Sequence, residues 1–146
     1  MAQTLTILMA DDDPDDQQLS REALTESRIH NTLYTVDDGE ELLEFLQRRG
    51  RYATAHTPRP GVILLDLNMP RMDGRTALAL IKRDPDLRQI PVVILTTSRA
   101  EEDIFRSYDL GANSFISKPV TFQGLVAVMR NLGSYWLEIV ELPKTQ

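Results

Sequence analysis

Along the chain, short apolar runs alternate with longer segments whose apolar residues recur every three or four positions. "LTILMA" (5–10) reads as a strand and 14–27 as a helix, then "TLYTV" (32–36) as a strand and 38–49 as a helix. "GVILLDL" (61–67) is apolar almost throughout, the pattern of a strand covered on both faces, and a helix follows near 73–83. "PVVILTT" (91–97) with a helix over 99–110, and "NSFISK" (113–118) with a helix over 121–137, complete the series. Strands that alternate with helices predict a parallel sheet with helices on both faces. Five βα units in 146 residues make a doubly wound α/β fold. One loop-like insertion interrupts the alternation: "ATAHTPRPG" (53–61), rich in proline and small residues.

In an open parallel sheet, function gathers at the carboxyl ends of the strands. Those ends carry Asp11 and Asp12, Asp66, Thr96 and Thr97, and Lys118. Three acids, a hydroxyl pair and a lysine are therefore expected to converge on one edge.

The acids need sorting, because residues 11–16 read "DDDPDD". Asp13 before Pro14 is a helix-start signal, with aspartate at the N-cap and proline at the first helical position. Asp15 and Asp16 fall in the first turn, where the positive end of the helix dipole favours them. Asp11 and Asp12 are left at the strand end, facing Asp66. Three carboxylates at close quarters call for a cation, and hard oxygen ligands around a small site favour Mg2+.

Charge and composition narrow the partners. A formal net charge of −6 and a pI near 4.9 argue against nucleic acid and anionic membranes as partners. The basic cluster Arg48, Arg49 and Arg51 follows a helix, where it complements the negative helix end and solvates the surface. The absence of cysteine excludes disulfides and thiolate metal sites. No stretch approaches the ~18 apolar residues that span a bilayer, and the first apolar run lacks a basic leader, so a cytoplasmic protein is expected. His30 and His56 match no ligand spacing and read as surface residues.

The acidic pair Asp11–Asp12, "LLDLNMPRMDG" (64–74), "VVILTTS" (92–98) and "SFISKP" (114–119) together resemble the receiver domains of bacterial two-component response regulators. The four motifs stand in the family's order, and the resemblance covers residues 5 to 137. It implies a flavodoxin-like (βα)5 fold with strand order 2-1-3-4-5. It also implies that Asp66 is the phosphoacceptor and that Mg2+ is held by Asp11, Asp12, Asp66 and the main-chain carbonyl of Asn68. Lys118 then supplies a cation for the phosphoryl oxygens, Thr96 the hydroxyl that follows the phosphoryl group, and Phe115 the switch aromatic. Pro119 resembles the family's cis-proline, and X–Pro bonds are the ones where cis is accessible. Ser98 with Glu101 reads as a capping box for the next helix. "SYWLEIVELP" (134–143), the 53–61 insertion and "LTTSRAEEDI" resemble the stand-alone response regulators that partner phytochrome histidine kinases.

The expected protein is a single-domain response regulator: a receiver over 1–137, a tail over 138–146, and no output domain after the last helix. It is a phosphoacceptor module, not an ordinary enzyme, fed by a histidine kinase and read by an unidentified downstream protein. Phe122, Leu125, Val126, Met129, Leu132 and Trp136 form one apolar face of the last helix, which the sheet is expected to bury. Val128, Tyr135, Leu137, Ile139, Val140 and Leu142 lie beside or beyond it; such a tail either folds back on its own domain or forms an interface, and the resemblance to the phytochrome-partner regulators implies a symmetric homodimer. A Mg2+-dependent phosphohydrolase with an aspartate nucleophile is the competing class, but such enzymes want an acid where Asn68 stands. A flavin-binding protein wants a glycine- and hydroxyl-rich phosphate loop, and "DDDPDD" would repel the phosphate. A receiver-like scaffold that is never phosphorylated fits poorly with an intact set of acids, threonine and lysine.

Overall fold

The computed structural model of the chain describes residues 5–27, 31–96, 114–117 and 121–134. In chain order the elements are β1 (Leu5–Ala10), α1 (Pro14–Glu26), β2 (Asn31–Val36), α2 (Gly39–Gln47), β3 (Val62–Leu65), α3 (Gly74–Arg83), β4 (Val92–Thr96), β5 (Ser114–Ser117) and α4 (Phe122–Ser134). The helix expected over 99–110 lies outside the described residues. The strands form one parallel sheet in the order β2-β1-β3-β4-β5, as the resemblance implied.

Strand alternation divides the core in two. Leu8, Ala10, Val36, Ile63, Leu65, Val92 and Ile94 face α2 and α3, where Leu42, Phe45, Leu78 and Ile81 meet them. Ile7, Met9, Leu33, Val62, Leu64, Val93 and Leu95 face α1 and α4, meeting Leu24, Leu125, Val126 and Met129. A strand buried on both faces has no room for polar residues, which explains the unbroken apolar run at β3. The run ends as a strand at Leu65, so Asp66 stands just beyond the ladder, its N–H still donating to the Ala10 carbonyl (3.0 Å).

Two expectations about helix surfaces need correction. The first helical face of α4 packs only from Leu125 onward; Phe122, the first residue of the helix, is 38% exposed instead of buried. Trp136 and the apolar tail lie outside the described residues. Helix α2 stops at Gln47, not at 49, because Arg48 turns left-handed (φ 54°). The exposed arginines after it reach side chains of the last turn and the loop beyond it. Arg48 donates through Nε and Nη2 to the Thr57 carbonyl (3.1 and 2.8 Å), Arg49 to the Gln47 side chain, and Arg51 to Glu44 (2.9 Å).

The same contacts fasten the long connection between α2 and β3. Thr57 is buried and its hydroxyl donates to the Phe45 carbonyl (3.1 Å), while Arg59 reaches the Asp86 carbonyl (2.7 Å). Residues 53–56, including His56, are exposed.

Candidate functional site

Strand β1 delivers Asp11 and Asp12 to the carboxyl edge of the sheet, and the neighbouring strand β3 delivers Asp66 beside them. One carboxylate oxygen from each of the three lies within 4.8 Å of the others. Asp11 is 1% exposed, Asp12 is exposed and Asp66 is half-buried. Two full charges at such a separation repel by about 3 kcal/mol at an effective dielectric near 20, and by less where Asp12 meets solvent. Hydrogen bonds from the chain offset part of this: the Asp13 N–H donates to Asp11 Oδ1 and the Asn68 N–H to Asp66 Oδ1, both at 3.0 Å. Three hard oxygen donors, with no nitrogen or sulfur among them, suit a small divalent cation.

The other aspartates of "DDDPDD" divide as the sequence predicts. Asp13 is the N-cap of α1, accepting from the amides of Asp15 (2.9 Å) and Asp16 (3.4 Å), with Pro14 opening the helix. Asp15 and Asp16 occupy the first turn.

The loop from Asp66 to α3 wraps closely on itself. The Gly74 N–H donates to the Leu67 carbonyl (3.0 Å), and a Cβ on Gly74 would overlap the Asp66 carbonyl, so only glycine lets α3 begin this near the acid. Asn68 is exposed two residues beyond Asp66 on this loop. Thr96 is the last residue of β4 and pairs with Ser117 at the end of β5; Phe115 pairs with Ile94. The side chains of Thr96 and Phe115, and Thr97, Ser98, Glu101, Lys118 and Pro119 altogether, lie outside the described residues.

Three residues that sequence pattern did not single out also meet here. Gln17 of α1 donates through its amide to the Asp11 carbonyl (2.5 Å) and to Asp37 Oδ1 (3.0 Å). Asp38 is the N-cap of α2 and is 0% exposed; Arg71 donates to it through Nε (2.8 Å) and Nη2 (2.5 Å). Burial alone would push the Asp38 carboxyl up, but the Glu41 amide and the Arg71 guanidinium outweigh burial and hold it below the usual carboxylate range. Aspartate followed three residues later by Glu41 is a near capping box, the signal that could have marked Asp38: its Oδ1 accepts from the Glu41 N–H, and Glu41 Oε1 accepts from the Asp37 N–H, both at 2.8 Å.

Comparison with known proteins agrees with this geometry. The family model of the response regulator receiver domain matches residues 7–130. Response regulator Rcp1 of Synechocystis sp. is 44% identical over 137 residues, covering 94% of this chain and 92% of that protein. The crystal structure of the phosphorylated cyanobacterial phytochrome response regulator RcpA superposes with a TM-score of 0.88 at 42% identity, covering 97% of this chain and all of that one. The Mn2+-bound form of Rcp1 gives 0.85 at 43% identity, covering 96% of this chain and 99% of that one. Among the described residues no helix is long and apolar enough to cross a membrane. With the match running from within β1 into α4, the chain belongs to the response regulator receiver domain family.

Proposed function

We propose that this receiver domain accepts a phosphoryl group on Asp66 from the phosphohistidine of a histidine kinase and signals through a protein-binding surface that changes on phosphorylation. The observation that carries the reading is the meeting of Asp11, Asp12 and Asp66 within 4.8 Å at the ends of two adjacent strands. An Asp66 carboxylate oxygen attacks phosphorus; the O–P bond forms as the P–N bond to the kinase histidine breaks. The departing electron pair stays on the imidazole nitrogen, which takes up a proton.

Asp11, Asp12, Asp66 and the Asn68 carbonyl would hold Mg2+, which when bound supplies positive charge against the phosphoryl oxygens. Lys118 is assigned the second cation, Thr96 the hydroxyl that moves toward the phosphoryl group, Phe115 the aromatic that responds to it, and Pro119 the cis-proline; the family's motifs support these roles. The domain assists its own phosphorylation and dephosphorylation without being an enzyme for other substrates. A phytochrome as the kinase is supported by the likeness to RcpA, itself a phytochrome response regulator. Its setting is taken as the cytoplasm.

We divide the chain into a receiver over 1–137 and a tail over 138–146 that contributes to a homodimer. Phe122, exposed on α4, supports an apolar surface there. Sedimentation of the full chain at micromolar concentration should give a dimer; a monomer both with and without phosphoryl donor removes that part. The central test is intact mass after incubation with acetyl phosphate and Mg2+: one phosphoryl group is gained, and omission of the cation prevents it.

A further inference from the structure

The corner between β2 and α2 ties the two sides of the acidic cluster together. From the Asp11 side, the Gln17 amide links the Asp11 carbonyl to Asp37. From the Asp66 side, Arg71 reaches Asp38 and the Met72 carbonyl accepts from the Gly39 N–H (2.9 Å). The contact is close: a Cβ on Gly39 would lie 2.5 Å from the Met72 carbonyl oxygen. Arg71 holds φ 63°, a left-handed conformation rare for a side-chain-bearing residue, in the loop that begins at Asp66. Such a conformation persists where the surroundings over-determine it.

We propose that the Asp38–Arg71 pair is a positioning clamp for the acidic site. It fixes the loop 67–73, and with it the Asp66 carboxylate and the Asn68 carbonyl, at the spacing from Asp11 and Asp12 that a divalent cation requires. This rests on the functional reading above, in which that cation serves phosphoryl transfer to Asp66. Capping α2 does not need a charge, since asparagine or serine caps equally well. Stability does not need the pair either, because burying a carboxylate beside an arginine side chain that is 58% exposed brings little net gain over neutral groups. What the charged, two-pronged contact adds is a fixed direction for Arg71 and hence for its loop.

The test is Mn2+ affinity, followed by water-proton relaxation, in the full chain and in Arg71→Ala, Arg71→Lys and Asp38→Asn. Each variant is measured where circular dichroism shows it fully folded. Groups that orient a metal site from behind typically change affinity by about 10–100-fold. Arg71→Ala and Asp38→Asn should weaken binding about tenfold, with Arg71→Lys between them and the parent, and phosphorylation should recover as Mg2+ is raised. Leu24→Ala, which opens a cavity in the other half of the core near the C-terminal end of α1, should cost more stability yet leave affinity within twofold. Unchanged affinity in both Arg71→Ala and Asp38→Asn overturns the clamp while leaving phosphorylation of Asp66 intact. A parent chain that binds no Mn2+ and gains no phosphoryl group overturns the functional reading, and the clamp with it.

Discussion

Asp11 and Asp38 are both carboxylates just past the ends of neighbouring strands, and both are almost wholly buried, at 1% and 0% exposure. Their company differs. Asp38 meets Arg71 and a helix N-terminus, so its charge is answered within the chain. Asp11 shares its oxygens' neighbourhood with Asp12 and Asp66. A lone buried acid set against an arginine and a helix N-terminus builds structure, whereas carboxylate oxygens gathered from two strands form a donor set of the kind a small divalent cation takes. The same contrast holds within six residues of sequence, where Asp13 caps α1 and Asp12 does not.

The sharpest way to break this division is Asp66→Asn. It should abolish the mass gain with acetyl phosphate, while Asp38→Asn keeps the gain at saturating Mg2+; a full gain in Asp66→Asn ends the assignment. Next in size is stability. Asp38→Ala loses the cap of α2, and denaturant unfolding should show a loss of about 1 kcal/mol.

Acid should then erase the Asp38 contribution. Its folded pKa lies below the unfolded value of 3.8, so the stabilisation is present above pH 3.8 and disappears as pH falls through the folded pKa. The stability gap between the parent and Asp38→Asn, small because a neutral cap replaces most of the charged pair, should be flat above about pH 5 and close below 3.8. A gap that widens on acidification reverses the sign. The smallest effect has the opposite direction: without divalent ion, Asp12→Asn should raise stability by about 0.5 kcal/mol, because it relieves repulsion, and saturating Mg2+ should cancel the gain. Asp15→Ala, in the first turn of α1, should instead lower it slightly with or without the ion.

The alternation of apolar runs and helical segments was enough to read the sheet, because strands such as Val62–Leu65 are buried on both faces and tolerate nothing polar. Asp11, Asp12 and Asp66 were legible because each follows such a run, and the end of a strand locates its next residue in space. The Asp38–Arg71 contact was not, since 33 positions separate the partners and neither residue type is unusual on a surface. The left-handed turn at Arg71 was hidden for a related reason: the position carries no glycine or asparagine to announce it. Phe122 fits the apolar stripe of α4 by angle, but a helical wheel has no length coordinate, and packing starts a turn later at Leu125.

The connection between α2 and β3 determines where the backbone tolerates being cut. Thr57 is plugged beneath α2, Arg59 is tied to the far side at Asp86, and Pro60 is buried, so a protease cannot draw that half of the loop into an extended strand. Residues 53–56 are an exposed stretch, bounded on one side by the turn at Gly50–Tyr52 and on the other by the Thr57 anchor. A nick there leaves both flanks pinned, and the two fragments remain one folded body. That makes the segment a natural place to insert an epitope or to begin a permuted chain, ahead of the buried strand that leads to Asp66.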